Sequence, residues 1–119
     1  IPGEIQCKML GAAISVWEND AKEVVQTAGE LVLTQAFLSM PIYLVNDPEY
    51  KRYASSYFSK FESVWHHGDW AAITATNGVI IYGRSDATLN RSGVRIGTSE
   101  LYTALSQLEA VEDALVVHL

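Results

Sequence analysis

The sequence predicts an α+β chain: a β-rich, barrel-like unit with one helix, followed by the opening of a second, small α/β unit. Three observations predict it. Four short β-type segments separated by turn residues lie between Glu4 and Thr34, an aromatic stripe at helical spacing follows Asp47-Pro48, and a strand–loop–helix–strand pattern closes the chain after Tyr82. At 119 residues, with 49% hydrophobic and 18% charged residues, the chain holds material for one core, and a disordered tail is not expected.

The elements follow in order. Ile5, Cys7 and Met9 alternate with Glu4, Gln6 and Lys8, the period-two pattern of a half-buried strand that Gly11 breaks. Ala12 to Trp17 reads as a second strand, and Glu18-Asn19-Asp20-Ala21-Lys22 as a hairpin connection into Val24-Val25. Gly29 introduces another strand, Glu30 to Thr34. Asp47-Pro48 signals a helix start, with an N-cap carboxylate and a proline whose missing N–H is not needed in the first turn. Tyr50, Tyr53, Ala54, Tyr57, Phe58 and Phe61 then fall on one helical face, expected to pack on the sheet.

Val64-Trp65-His66 reads as a strand ending at His67-Gly68-Asp69, and Trp70 to Thr74 as another strand, paired through Asn77-Gly78 with Val79 to Tyr82. Gly83 to Ser99 holds three glycines, three arginines and one aspartate, the composition of a linker or a site. Thr98 is an expected N-cap for a helix with Leu101, Leu105 and Leu108 on one face, and Ala114 to Val117 a final strand.

Fourteen acidic against eight basic residues give a net charge of -6, which argues against nucleic acid or an anionic membrane as partner. An anionic small molecule can still bind locally. One cysteine allows no internal disulfide, and no apolar run reaches transmembrane length, so a reducing, cytoplasmic location is expected. The chain opens at Ile1 without an initiator methionine and stops inside the apolar run Ala114 to Leu119, so it is expected to be a piece of something longer.

Few residues are equipped for chemistry. Cys7, on the apolar side of its segment and without a nearby histidine, is expected to be a buried thiol rather than a nucleophile. His66, His67 and Asp69 do not make a metal set, because neighbours on a strand point to opposite faces and no second ligand pair exists. Neither phosphate-binding glycine fingerprint occurs. What remains is Asp69, Arg84, Asp86 and Arg95, each near glycine in Gly68-Asp69, Gly83-Arg84-Ser85-Asp86 and Gly93-Val94-Arg95. A carboxylate can accept from both hydroxyls of a ribose, a guanidinium can fork onto phosphate, and glycine permits close approach, so the set is equipped to hold a nucleotide. Salt bridges on surface turns explain the same residues, and spacing alone favours them.

The combination of motifs goes further than spacing. His67-Gly68-Asp69, then fifteen residues from Asp69 to Arg84 in Tyr-Gly-Arg-Ser-Asp, then Gly93 to Leu101, resembles the late motifs of the adenylate-forming acyl-CoA synthetases, and Thr27-Ala28-Gly29-Glu30-Leu31 matches their preceding Gly-Glu-Leu motif. The acetoacetate-activating subgroup is resembled most, through Gly3 to Gly11, Ser39 to Tyr43, Asn46-Asp47-Pro48, Trp65 to Trp70 and Gly83 to Asn90. Two departures stand out: Arg91-Ser92 where many of that subgroup carry Pro-Gly, and His67 where the wider family carries threonine.

The resemblance implies an ATP-dependent acid–thiol ligase that activates acetoacetate as acetoacetyl-AMP and passes the acyl group to CoA. It implies that Asp69 binds the ribose hydroxyls, that Arg84 also contacts the nucleotide, that Arg95 is catalytic in approaching the phosphates during adenylation, and that Gly93 lies beside the pantetheine path of CoA. It further implies that residues 1–85 end an N-terminal AMP-binding domain and that 86–119 begin a mobile C-terminal domain hinged at Asp86. The phosphate loop, acyl pocket and Mg²⁺ ligand would then lie before Ile1 and the catalytic lysine after Leu119, leaving this piece inactive alone. Two alternatives stay open: a synthetase acting on acetate, propionate or another short acid, and a stand-alone, non-catalytic β module that binds a nucleotide or a protein.

Overall fold

The computed structural model describes residues 3–87, 89–91 and 94–117. Its elements run β1 (Ile14–Trp17), β2 (Gly29–Leu33), α1 (Lys51–Tyr57), β3 (Trp65–Ile73), β4 (Val79–Arg84), β5 (Leu89–Arg91), β6 (Val94–Ile96) and α2 (Thr98–Leu105). The first four strands form one antiparallel sheet in the order β1-β2-β3-β4, and β5 and β6 form a separate two-stranded sheet. This is an α+β architecture with a four-stranded antiparallel sheet and two helices.

β2 is buried along its whole length, because it lies inside the sheet with both faces covered. One face carries Val16, Leu31, Leu33, Trp65, Ala71, Ile73 and Val79, the core cluster. Helix α1 covers the Trp65 end of that face: Tyr57 stacks on the indole at 3.7 Å between ring centroids, with Phe37, Tyr53 and Phe58 edge-on around it. The aromatic stripe therefore packs on the sheet as its spacing predicts, but Phe61 lies past the helix end, where it meets Trp17 edge-on on the other face.

Asp47 caps α1 from a distance. Its Oδ1 accepts the Arg52 N–H at 3.1 Å and its Oδ2 the Tyr53 N–H at 2.8 Å, amides that a helix start leaves without partners. Burial pushes this carboxyl's pKa up, but the Tyr53 and Arg52 amides and the Arg52 charge pull it down further, for a net lowering. A turn from Asp47 to Tyr50, with Tyr50 left-handed at φ 55°, separates carboxylate from helix, so Pro48 sits in that turn rather than in the first helical turn.

Several expected strands take a different form. Residues 4–9 make one bridge, Ile5 with Val79, and Glu4 accepts the Thr74 hydroxyl at 2.6 Å; the segment is tied to the β3–β4 turn at its start and carries no ladder. Cys7 is exposed, because without a ladder nothing sets its side chain against the core. The return limb after Glu18–Lys22 is a single bridge, Trp17 with Glu23. Trp65 to Ile73 is one strand rather than two: β4 pairs with it through Asp69–Arg84 and Trp70–Gly83, and the break expected at Gly68 becomes a left-handed residue and a bulge at Trp70/Ala71. The Asn77-Gly78 turn forms, Asn77 taking φ 65°. Thr98 opens α2, with Gly97 as the N-cap residue, and 114–117 has no strand pairing; the Val116 N–H is bound by the Tyr102 hydroxyl at 3.1 Å.

Candidate functional site

The register of β3 with β4 places Asp69 opposite Arg84. Their charged groups approach to 3.6 Å, Arg84 Nη1 donates to the His67 carbonyl at 3.2 Å, and Arg84 Nε lies 3.4 Å from Asp86 Oδ1. Gly68 makes this possible: at φ 85°, it lacks the Cβ that would stand 2.7 Å from Arg84 Nη2. The glycine expected to admit a ligand admits the guanidinium instead. Three of the sequence-predicted residues, Asp69, Arg84 and Asp86, are thus one contiguous charged group.

Asp69 is mostly buried at 18% side-chain exposure, whereas Arg84 is 54% and Asp86 75% exposed. The Asp69 carboxylate lies at the rim of an apolar cavity of about 400 Å³ lined by Leu31, Leu33, Phe37, Val79 and Ile81. Arg84, Ser85 and Asp86 line a second, more polar hollow of about 620 Å³ with Tyr57 and His66. His67 borders both. Its Nδ1 accepts from Trp65 Nε1–H at 3.3 Å, which leaves the proton of the neutral ring on Nε2, 3.4 Å from Asp69 Oδ2. Both approaches to Asp69, from His67 and from Arg84, are longer than a good hydrogen bond, so its oxygens keep capacity for two further donors, and the pair of oxygens suits a vicinal diol.

His66 faces the other way, as adjacent strand residues must. Its Nε2 meets Glu30 Oε2 at 2.9 Å, on the opposite side of the sheet from the Asp69 cavity. Glu30 is 1% exposed and is bound by His66, by Lys60 Nζ at 2.5 Å on Oε1, and by the Ser85 hydroxyl on Oε2. Burial pushes its pKa up, but the hydrogen bonds from Lys60, Ser85 and His66 together with the Lys60 charge outweigh it and lower the pKa to about 2. Sequence reasoning used Glu30 only as part of a motif; the signal was a lone carboxylate in a wholly apolar strand, which has to be paired. Among the described residues no group of three His, Cys, Asp or Glu side chains converges as a metal set, and no helix is long and apolar enough to cross a membrane.

Arg95 lies on β6, across from Asn90 on β5, and its main chain is what the structure describes. Gly93 lies outside the described residues.

No family model matches the chain. It is 50% identical over 115 residues to the acetoacetyl-coenzyme A synthetase of Rhizobium meliloti (strain 1021), covering 97% of this chain and 18% of that protein. It is 45% identical over 116 residues to the acetoacetyl-CoA synthetase of Mus musculus, covering 97% and 17%. Among solved structures, acetoacetyl-CoA synthetase from Streptomyces lividans superposes with a TM-score of 0.91 at 42% identity, again over 97% of this chain and 18% of the other. The anthranilate CoA ligase AuaEII in complex with anthranoyl-AMP shares the fold at a TM-score of 0.71 and 19% identity, over 93% of this chain and 20% of that one. The chain spans less than a fifth of the length of the relatives it matches.

Proposed function

We propose that this chain is a segment of an ATP-dependent acid–thiol ligase that converts acetoacetate to acetoacetyl-AMP and then to acetoacetyl-CoA. The observation that carries the reading is the Asp69–Arg84 pairing across β3 and β4, within a chain similar from end to end to acetoacetyl-CoA synthetases. In this reading Asp69 accepts the two ribose hydroxyls of ATP and of the acyl-adenylate, and the apolar cavity beside it faces the remainder of the active site. Arg84 sets the carboxylate's orientation and contacts the nucleotide.

In the first half-reaction a carboxylate oxygen of acetoacetate attacks the α-phosphorus and pyrophosphate leaves; in the second, CoA thiolate attacks the acyl carbon and AMP leaves. Negative charge grows on phosphate oxygens in the first, so a guanidinium such as that of Arg95 acts there by electrostatic stabilisation. The second presents different groups to the same adenylate, which rotation of a domain about Asp86 supplies, with Gly93 beside the pantetheine arm. Residues 1–85 then close an N-terminal domain with a barrel-like subdomain, and 86–119 open the C-terminal one. Mg²⁺ is held by residues outside this chain, which alone catalyses neither half-reaction, and the enzyme works in the cytoplasm.

Acid-dependent pyrophosphate exchange by the full-length enzyme tests the reading. Acetoacetate should support exchange far better than acetate or propionate; a preference for either of those would assign the chain to another short-chain acyl-CoA synthetase.

A further inference from the structure

Glu30 is an expensive residue to place where it is. A carboxylate at 1% exposure loses its hydration, and it persists because Lys60, His66 and Ser85 bring donors from three separate stretches of chain. Replacing such a cluster with apolar groups often leaves a protein no less stable, so stability alone is a weak reason for it. Its position offers another reason. Ser85 directly follows β4, between Arg84 and Asp86; its hydroxyl is bound by Glu30 Oε2 and its N–H by the Gly68 carbonyl at 2.9 Å. The second bond lands next to Asp69. One residue further on, Asp86 is exposed in a turn closed by the Ala87 N–H to Arg84 carbonyl bond at 3.2 Å.

We propose that Glu30 is a positioning residue that clamps Ser85 to the sheet, so that the main chain is fixed up to Ser85 and a pivot at Asp86 has to break only the exposed turn contacts of Asp86 and Ala87 with Arg84. The clamp makes a sharp boundary for the pivot. Torsion that a moving domain applies at Asp86 stops at Ser85 instead of spreading into β4, where it would displace Arg84 and with it the carboxylate of Asp69. Lys60 and His66 hold Glu30 ionised and aimed, and neither needs to touch a substrate. The proposal rests on the reading of Asp69 as the nucleotide contact and Asp86 as the hinge.

Ser85→Ala in the full-length enzyme removes the clamp while leaving Glu30 its Lys60 and His66 partners, so the fold should persist. Loss of one hydrogen bond to a charged group predicts roughly a ten-fold higher KM for ATP, with kcat for adenylation little changed. Hydrogen exchange at the amides of 84–87 should quicken, and Ser85→Thr, which restores the hydroxyl, should return both readouts toward wild type. An unchanged KM in Ser85→Ala, alongside a raised KM in Asp69→Ala, would overturn the clamp and leave the nucleotide site intact. Should Asp69→Ala itself leave KM unchanged, the nucleotide reading fails, and the exchange rates decide the clamp alone: faster exchange in Ser85→Ala supports it, and wild-type exchange overturns it.

Discussion

Asp69 and Arg84 are direct partners in the register of β3 and β4, and the guanidinium reaches the carboxylate by crossing over Gly68. The pair is therefore built from backbone register and one missing side chain, and each part can be removed separately.

Gly68→Ala puts a methyl group 2.7 Å from Arg84 Nη2 and forces a side chain into φ 85°. The backbone strain should lower stability by about 1–3 kcal/mol, and displaced Arg84 should weaken nucleotide binding as well. Chemical denaturation and AMP titration of the full-length variant check the two effects; a variant with wild-type stability and affinity would mean that the close approach has no consequence.

The pH dependence of stability should carry the mark of Glu30. Its pKa is about 2 in the folded chain against 4.5 for the ordinary group, so the unfolded state binds the proton more tightly. The stabilisation is fully present above pH 4.5 and is lost as pH falls toward 2. Glu30→Gln should be less stable than wild type near neutral pH, with the difference shrinking through that acid window. Melting temperatures of both proteins across the range decide it; a constant difference would show that ionisation of Glu30 does not contribute.

Trp65 anchors the α1 side of the core, stacked by Tyr57 and flanked by Phe37, Tyr53 and Phe58. Trp65→Ala should cost about 3–5 kcal/mol, whereas Trp65→Phe should cost much less. Equal losses in denaturant unfolding would mean that the four surrounding rings do not pack on the indole as a group.

Much of this architecture was legible because the signals were local. Asn77-Gly78 between apolar runs and Gly29 before Glu30 to Thr34 contain their own turn and strand chemistry, and both elements form, the strand as Gly29–Leu33. The segment at 4–9 misleads because alternation describes a strand only when a partner runs beside it, and the one at 114–117 because apolar, β-branched composition does not supply that partner either. Gly68 reads as a break in sequence, yet pairing by β4 carries β3 through it. In the site, glycine-flanked charges marked Asp69, Arg84 and Asp86, but their union depends on register. Glu30 was hidden for the same reason: Lys60, His66 and Ser85 are 30, 36 and 55 positions away.

Asp86→Pro should separate the two half-reactions. Fixing φ at the proposed pivot should leave one conformation accessible and impair thioester formation and adenylation to very different extents. Pyrophosphate exchange and thioester assays on the full-length variant measure the halves, and equal losses in both would remove Asp86 from the hinge.

The central claim is that the Asp69 carboxylate holds the ribose of the nucleotide. Steady-state kinetics of Asp69→Ala in the full-length enzyme test it most directly. Loss of charge-assisted hydrogen bonds to the diol should raise the KM for ATP roughly ten- to a hundredfold, with the KM for acetoacetate nearly unaffected. An ATP KM equal to that of the wild-type enzyme would contradict it.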